Sequence, residues 1–217
     1  MPQTLILVPT PLERARLTGP LSPAIESSSR LELCGFGPVA AAARAASLLA
    51  RDAFDRVILV GIAGRLDARL EIGQAYSFSE VACFGVGAGS GDGFVPAGAM
   101  GWPQWPGDPA DADATIGDLI ALAPSAAAAP AGLLLTACAA SASPDDAIRR
   151  QSLFPDAVAE DMEGFGVALA CRLAGVPLTI VRGISNTAGD RDTSRWEIEA
   201  ALAAVASLVM TILEPPR

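Results

Sequence analysis

The sequence predicts an α/β domain whose sheet is buried on both faces, and three observations carry this. Its 217 residues are 51% hydrophobic, enough for one large core and short of what two domains would need. Extended apolar runs alternate with helical patterns along the chain, as βα units require. The runs Val57 to Val60 and Leu178 to Ile184 are almost continuously aliphatic or β-branched, which marks strands without a solvated face.

Thr4 to Val8 is the first strand. It ends at the turn Pro9-Thr10-Pro11, which leads into a short helix from Leu12 to Leu17 with Glu13 in its first turn. On position alone Glu13 has two readings, an acid complementing the helix dipole or a carboxylate at a strand's carboxyl end with a site to serve. Leu31 to Cys34 reads as a strand, Pro38 to Phe54 as an alanine-rich helix, and Val57 to Val60 as a strand running into Gly61-Ile62-Ala63-Gly64. Further strands are expected at Gln74 to Val81 and Leu133 to Thr136, with a helix at Asp145 to Leu153. From Phe84 to Ala123 the chain is rich in Gly, Pro, Ala and Asp, and has little periodicity before the apolar run Ile116 to Leu122. A long mobile loop is expected there, its Trp102 and Trp105 suited to covering a cleft or to a subunit contact. Ser125 to Pro130 reads as an alanine connector.

Met162 and Glu163 open an apolar helix that runs to Ala174, where Gly175 and Pro177 stop it. The next strand, Leu178 to Ile184, is apolar except for Arg182 and delivers Ser185 and Asn186 to its carboxyl end, the edge where open α/β sheets bind ligands. Glu163 and Asn186 are therefore expected to face one cleft. Ile198 to Leu213 is the closing helix, so both ends of the chain belong to one domain, 1–217.

With 15 Lys plus Arg against 24 Asp plus Glu, the formal charge of -9 argues against nucleic acid and anionic membranes as partners and for a small molecule. The first apolar run, Leu5 to Val8, is too short for a signal-peptide core and no run reaches membrane-spanning length, so a cytoplasmic location is expected. Cys34, Cys83, Cys138 and Cys171 are scattered among small or apolar neighbours and read as buried free thiols. The chain has no histidine, which removes Ser-His-Asp and Cys-His pairs together with the commonest zinc ligand. Acid-base chemistry must then use carboxylates, and no metal is needed. Gly35-Phe36-Gly37-Pro38-Val39-Ala40 matches a dinucleotide fingerprint, but no acid stands at the end of the following strand to bind ribose. The same glycines serve equally to turn the chain sharply and pack the helix. Gly85 to Gly93 lacks the ending of a phosphate-binding loop.

Several ordered motifs remain: Asp161-Met162-Glu163-Gly164, then Val181-Arg182-Gly183-Ile184-Ser185-Asn186, then Gly189-Asp190-Arg191-Asp192 with Ser194-Arg195-Trp196, supported by Gly61-Ile62-Ala63-Gly64 and Asp92-Gly93-Phe94. Their order and spacing over nearly the whole chain resemble the nucleoside phosphorylase and nucleosidase superfamily, and within it the futalosine hydrolases. The resemblance implies a three-layer sandwich around a central mixed β-sheet, assembly as a homodimer or higher homo-oligomer, and cleavage of a purine N-ribosyl bond without metal or organic cofactor. It also implies roles: Glu13 orients the water, Glu163 bonds the ribose hydroxyls, Met162 packs on the sugar, and Ile62, Ala63 and Gly64 form the small-residue loop near the ribose. Methylthioadenosine nucleosidases are similar here but carry an aspartate at the position of Asn186. An amide cannot be that acid, yet it can donate to O6 and accept from N7–H of a 6-oxopurine, which points to hypoxanthine as the leaving base. Trp196 and Arg195 fall where relatives place an aromatic near the 5' end of the ligand, suiting the benzoate of futalosine. Equally, Trp196 would cap the last helix with Arg195 in solvent. The aromatic that usually stacks on the purine aligns near Ala140, beside Ser141; Phe165 and Phe94 are the candidates to replace it. Phosphorylases carry an arginine where this chain has Val60, which favours hydrolysis, with Arg14 and Arg44 the remaining candidates for an anion site. The alternatives are a methylthioadenosine-type nucleosidase, a purine nucleoside phosphorylase, or a non-catalytic nucleoside-binding protein on the same fold.

Overall fold

A computed structural model describes residues 3–107, 115–125 and 129–214. Side chains of a strand point alternately to its two faces, and two strands show how this builds the core. In β1 (Thr4–Val8), Leu5 and Leu7 enter one apolar cluster while Ile6 and Val8 enter another. The short helix α1 (Pro11–Thr18) and α2 (Ser22–Ser27) lead to β2 (Ser29–Leu33), and then α3 (Pro38–Leu49) leads to β3 (Arg56–Arg65). In β3, Val57 and Leu59 join the first cluster, and Ile58 and Val60 the second. Both faces of the sheet therefore need a cover.

The chain continues through β4 (Ala75–Ser77), β5 (Glu80–Phe84), the short ribbon strands β6 (Gly87–Ala88) and β7 (Val95–Pro96), β8 (Leu119–Ala121) and β9 (Leu133–Ala137). It closes with α4 (Pro144–Leu153), β10 (Ala157–Asp161), α5 (Gly164–Ala174), β11 (Leu178–Thr187) and α6 (Ile198–Leu213). The strand order is β2-β1-β3-β10-β9-β5-β8, and β11 pairs with both β3 and β4. Helices α3 and α5 supply Ala41, Ala45, Leu48, Phe165, Val167 and Ala168 to the first cluster. On the other face, α1 and α6 supply Leu17, Leu202, Val205 and Val209 to the second. The result is a three-layer α/β sandwich around a mixed sheet, as the family resemblance implied.

The mixture places the site. β1 runs parallel to β3 up to Leu7 opposite Leu59, whereas β10 is antiparallel to β3, with Glu160 opposite Gly64 and Ala159 opposite Arg65. The carboxyl ends of β1 and β10 thus meet from opposite directions over the middle of β3. On its other side β11 follows β3 in parallel from Leu178 to Thr187, with a bulge between Ile184 and Asn186.

Several boundaries differ from the sequence expectation. α3 stops at Leu49, five residues before Phe54, whose ring turns back into the core. β3 runs on through Gly61-Ile62-Ala63-Gly64 because partners on both sides hold that segment extended. The single strand expected from Gln74 to Val81 is two, β4 and β5, with Phe78 buried between them. Glu163 stands at the N-cap of α5, with Met162 outside the helix. Strand β10 went unpredicted because its sequence AVAED ends in two acids, yet all five residues are buried. The described residues between Phe84 and Ala123 are not one loop, since they contain the β6–β7 ribbon, a bridge from Trp105 to Ile116, and β8. Of the expected alanine connector, residues 126–128 lie outside the described residues, as do 108–114 of the expected loop. Cys34, Cys83 and Cys171 are buried, and burial pushes each thiol up to about 12, but Cys138 is exposed. Among the described residues, no helix is long and apolar enough to cross a membrane.

Candidate active site

Local sequence brings the first carboxylate in. Thr10 caps α1, Pro11 fits the first helical position, and Glu13 completes a capping box. Its Oε2 accepts from the Thr10 N–H at 3.1 Å and from the Thr10 hydroxyl. Its Oε1 reaches across to β3 and accepts from the Ile62 N–H at 3.1 Å. Glu13 therefore caps its helix and also ties the start of α1 to β3, and the residue is only 4% exposed.

The second cluster centres on Arg182, which is fully buried in β11. Its Nη2 lies 2.6 Å from Asp161 Oδ2 and 3.2 Å from Glu163 Oε2, while Nε bonds Asp161 at 3.1 Å and Nη1 the Val60 carbonyl at 3.0 Å. Asp161, at the end of β10, also accepts from the Thr136 hydroxyl at 2.6 Å and the Gly164 N–H at 2.9 Å. Gly61 explains how the cation fits: a Cβ there would press on Arg182 Nη1 and lie 2.7 Å from Glu13 Oε1. Glu163 Oε1 accepts from the Gly37 N–H at 3.0 Å, and Gly37 has a φ of +83°, so the GFGPVA segment is a turn that delivers a backbone donor to a carboxylate. Burial pushes the Glu163 carboxyl up to about 7, against the pull of Arg182 and the Gly37 N–H, with Asp161 and Glu13 adding to the rise. Burial works against the Arg182 cation too, but Asp161, Glu163 and Glu13 together hold its pKa above the ordinary value.

Asn186 follows the bulge in β11. Its Oδ1 accepts from the Ser185 hydroxyl at 2.8 Å, and its Nδ2 donates to the Thr187 carbonyl at 2.9 Å and approaches the Asp190 carbonyl at 3.5 Å. Carbonyls only accept, so this network fixes which end of the amide is nitrogen. The Asp190 carbonyl also accepts from Trp196 Nε1 at 3.2 Å, which joins the indole to the same corner.

These groups surround one cavity of about 390 Å³. Of the residues singled out from sequence, Glu13, Ile62, Ala63, Gly64, Ala140, Met162, Glu163, Asn186 and Trp196 line it. Three do not. Phe165 is packed in the first core cluster with its N–H donated to Thr136, because the first turn of α5 faces the sheet. Ser141 is fully buried, its N–H and hydroxyl both taken by Glu160 at 2.8 and 2.7 Å. Arg195 turns outward to Asp190 and Asp192 at 2.8 and 3.2 Å. Phe94 packs against Phe84 with ring centroids 5.0 Å apart, outside the cavity.

The lining also holds groups that the sequence reading passed over: Phe36, Glu160, Asp161 and Arg191. Phe36 sat inside a motif read as packing, and the lone charge in an apolar strand was the signal that pointed to the Arg182 cluster. Trp196 lines the cavity and is not in the cluster around α6, while Arg195 is largely in solvent, as the helix-capping alternative had it. Trp102, 70% exposed, and Trp105 stand away from the lining, as do Arg14 and Arg44, the latter within 3.4 Å of Glu32.

Chemically, the wall offers four carboxylates, Glu13, Glu160, Asp161 and Glu163, the last two held by the buried Arg182 and Glu160 by Arg150, and an amide with both donor and acceptor character. Such a set suits a neutral polar ligand on which positive and negative charge develop at separate ends.

Known proteins match this chain closely enough to set it among them. The profile described as phosphorylase superfamily matches residues 29–214. The futalosine hydrolase of Streptomyces coelicolor is 33% identical over 183 residues, which cover 81% of this chain and 74% of that protein. The futalosine hydrolase of Acidothermus cellulolyticus is 38% identical over 160 residues, covering 71% and 62%. The 5'-methylthioadenosine/S-adenosylhomocysteine nucleosidase of Colwellia psychrerythraea is 30% identical over 184 residues, covering 82% and 76%. Among solved structures, a nucleosidase of that type from Colwellia psychrerythraea in complex with adenine superposes with a TM-score of 0.76 at 24% identity, over 97% of this chain and 94% of the other. The futalosine hydrolase of Helicobacter pylori superposes at 0.75 with 16% identity, over 98% and 97%. At these identities the superpositions speak for the fold alone.

Proposed function

Because the chain belongs to the phosphorylase superfamily, we propose that it is an N-glycosidase that hydrolyses the N-ribosyl bond of futalosine, releasing hypoxanthine and dehypoxanthine futalosine. The observation that carries this reading is Asn186, an amide whose orientation is fixed at the cavity wall. Its acceptor oxygen keeps a lone pair beyond Ser185, and its second N–H is only weakly held at 3.5 Å from Asp190. One donor and one acceptor side by side match O6 and N7–H of a 6-oxopurine, whereas the amino group of adenine would meet a donor.

Hydrolysis joins the water oxygen to the anomeric carbon, sends the electron pair of the breaking C–N bond to the base, and places the water's proton on it. Glu13 uses three acceptor positions on Thr10 and Ile62, and its remaining one, on Oε1, holds the water. Glu163, with one oxygen on Gly37 and the other on Arg182, keeps a lone pair on each for the ribose hydroxyls. Its negative charge, lying beneath the sugar with Met162, favours the cationic ring that forms as the bond breaks. The enzyme acts in the cytoplasm, within menaquinone biosynthesis, as a homodimer.

The test is to incubate the protein with futalosine, aminodeoxyfutalosine, inosine and methylthioadenosine in phosphate-free buffer and measure free base. Release from futalosine is expected to be fastest. A clear preference for methylthioadenosine would support the nucleosidase reading that the Colwellia relative favours, and a strict phosphate requirement would exclude hydrolysis.

A further inference from the structure

The buried end of the cavity is occupied by the groups proposed for base and ribose, so the 5' substituent of a nucleoside bound there must leave towards the open rim. That rim is built from Leu12, Phe36, Trp196 and Arg191. Arg191 is distinctive among the cations nearby. Arg182 is taken by Asp161 and Glu163, Arg195 by Asp190 and Asp192, and Arg150 by Glu160 at 2.8 Å. Arg191 has no carboxylate partner among the described residues; its guanidinium lies 5.2 Å from the centroid of the Trp196 ring. The indole is itself held by its Nε1 on the Asp190 carbonyl at 3.2 Å. A guanidinium over an aromatic face is attracted by the ring's electrons while its N–H groups remain available for a carboxylate. The chain as a whole carries a formal charge of -9, which repels an anion approaching from solvent, and Arg191 is the local exception at the mouth.

We propose that Arg191, lying over the Trp196 ring, is the residue that selects substrates bearing an aromatic carboxylate on the 5' extension. The guanidinium pairs with the carboxylate while the indole and Phe36 flank the aryl ring. This rests on the futalosine reading for the identity of the substrate but assigns the recognition to a residue of its own. Arg195, the neighbour four residues on, is excluded by its two aspartate partners.

The experiment compares futalosine with its methyl ester in the wild type, in Arg191→Met, which keeps an apolar stem over the indole, and in Arg195→Met. Both binding, by calorimetric titration, and base release are measured. A charge-assisted pair at a half-open rim is worth about 10- to 100-fold, so the wild type should favour the acid over the ester by that factor and Arg191→Met should bring the ratio close to one. The preference should also shrink as salt is raised. An unchanged ratio in Arg191→Met, a ratio near one in the wild type, or a collapse confined to Arg195→Met would each overturn the proposal. Titration keeps the two claims apart. Retained acid-over-ester binding without base release sinks the hydrolase reading alone, and base release without that preference sinks the clamp alone.

Discussion

Replacing Arg182 with methionine removes the cation from a site that water does not reach, and the consequences follow from its partners. The side chain is 0% exposed and holds Asp161 at 2.6 and 3.1 Å, Glu163 at 3.2 Å and the Val60 carbonyl at 3.0 Å. Asp161 would keep Thr136 and the Gly164 N–H, but Glu163 Oε2 and the Val60 carbonyl would lose the partner that Arg182 gives them. Breaking one side of a buried pair costs about 3–5 kcal/mol, because the remaining charge is left without compensation. The loss does not double, since Glu163 already titrates at about 7 and takes up a proton once the cation that lowers its pKa is gone. For a chain of this size the penalty is a fall of roughly 6–20 °C in Tm. Its pH dependence has a definite sign. Glu163 has a folded pKa raised above its ordinary 4.5, so its contribution to stability is fully present below about 4.5 and is lost as pH rises through about 7. Without Arg182 the folded value rises further, so the variant should lose more stability at pH 8 than at pH 5. Urea unfolding of both proteins at the two pH values, with unchanged slopes, measures this. A variant within about 1 kcal/mol of the wild type at pH 8, or an equal penalty at both pH values, refutes the reasoning.

The same geometry sets three further expectations. Glu13→Gln should lower base release about 10²- to 10⁴-fold by steady-state assay, with a small fall in Tm because the new amide group faces the Thr10 or Ile62 N–H; near-normal turnover would remove Glu13 from the water-orienting role. The kcat/KM of the wild type should climb as pH rises through about 7, as Glu163 ionises in the free enzyme, and a flat profile from pH 5.5 to 8 would contradict it. Gly61→Ala pushes a methyl between Arg182 and Glu13 and should cost about 1–3 kcal/mol together with activity, whereas Gly19→Ala, with nothing within 4 Å of its Cβ, should change neither. Equal melting curves for the two alanine variants would show that the Gly61 approach is not tight.

Legibility followed the range of the interactions. The boundaries of α5 at Ala174 and of α6 at Ile198 and Leu213 were readable because helix periodicity and stop signals are local. Strand β10 was not, because Glu160 and Asp161 read as surface residues until Arg150 and Arg182, from other elements, appear opposite them. The extension of β3 through its glycines likewise depends on two strands distant in sequence. At the site, Glu13, Glu163 and Asn186 were legible as polar groups at element ends, where a motif order could be recognised. Phe165 was misplaced because the helical pattern does not say which side of the first turn meets the sheet.

By itself, then, the sequence determined the α/β class with a sheet buried on both faces, through its motif resemblance the sandwich layers, and the chemical types available: carboxylates and an amide, with no imidazole. Only the tertiary structure decided that β1 and β10 meet end to end over β3, that Arg182 neutralises the acids behind the cavity, and that Arg191, not Arg195, faces the mouth. The reason is physical: backbone patterns report each residue's immediate neighbours, whereas a buried charge is placed by its counter-charge, which the chain brings from another strand.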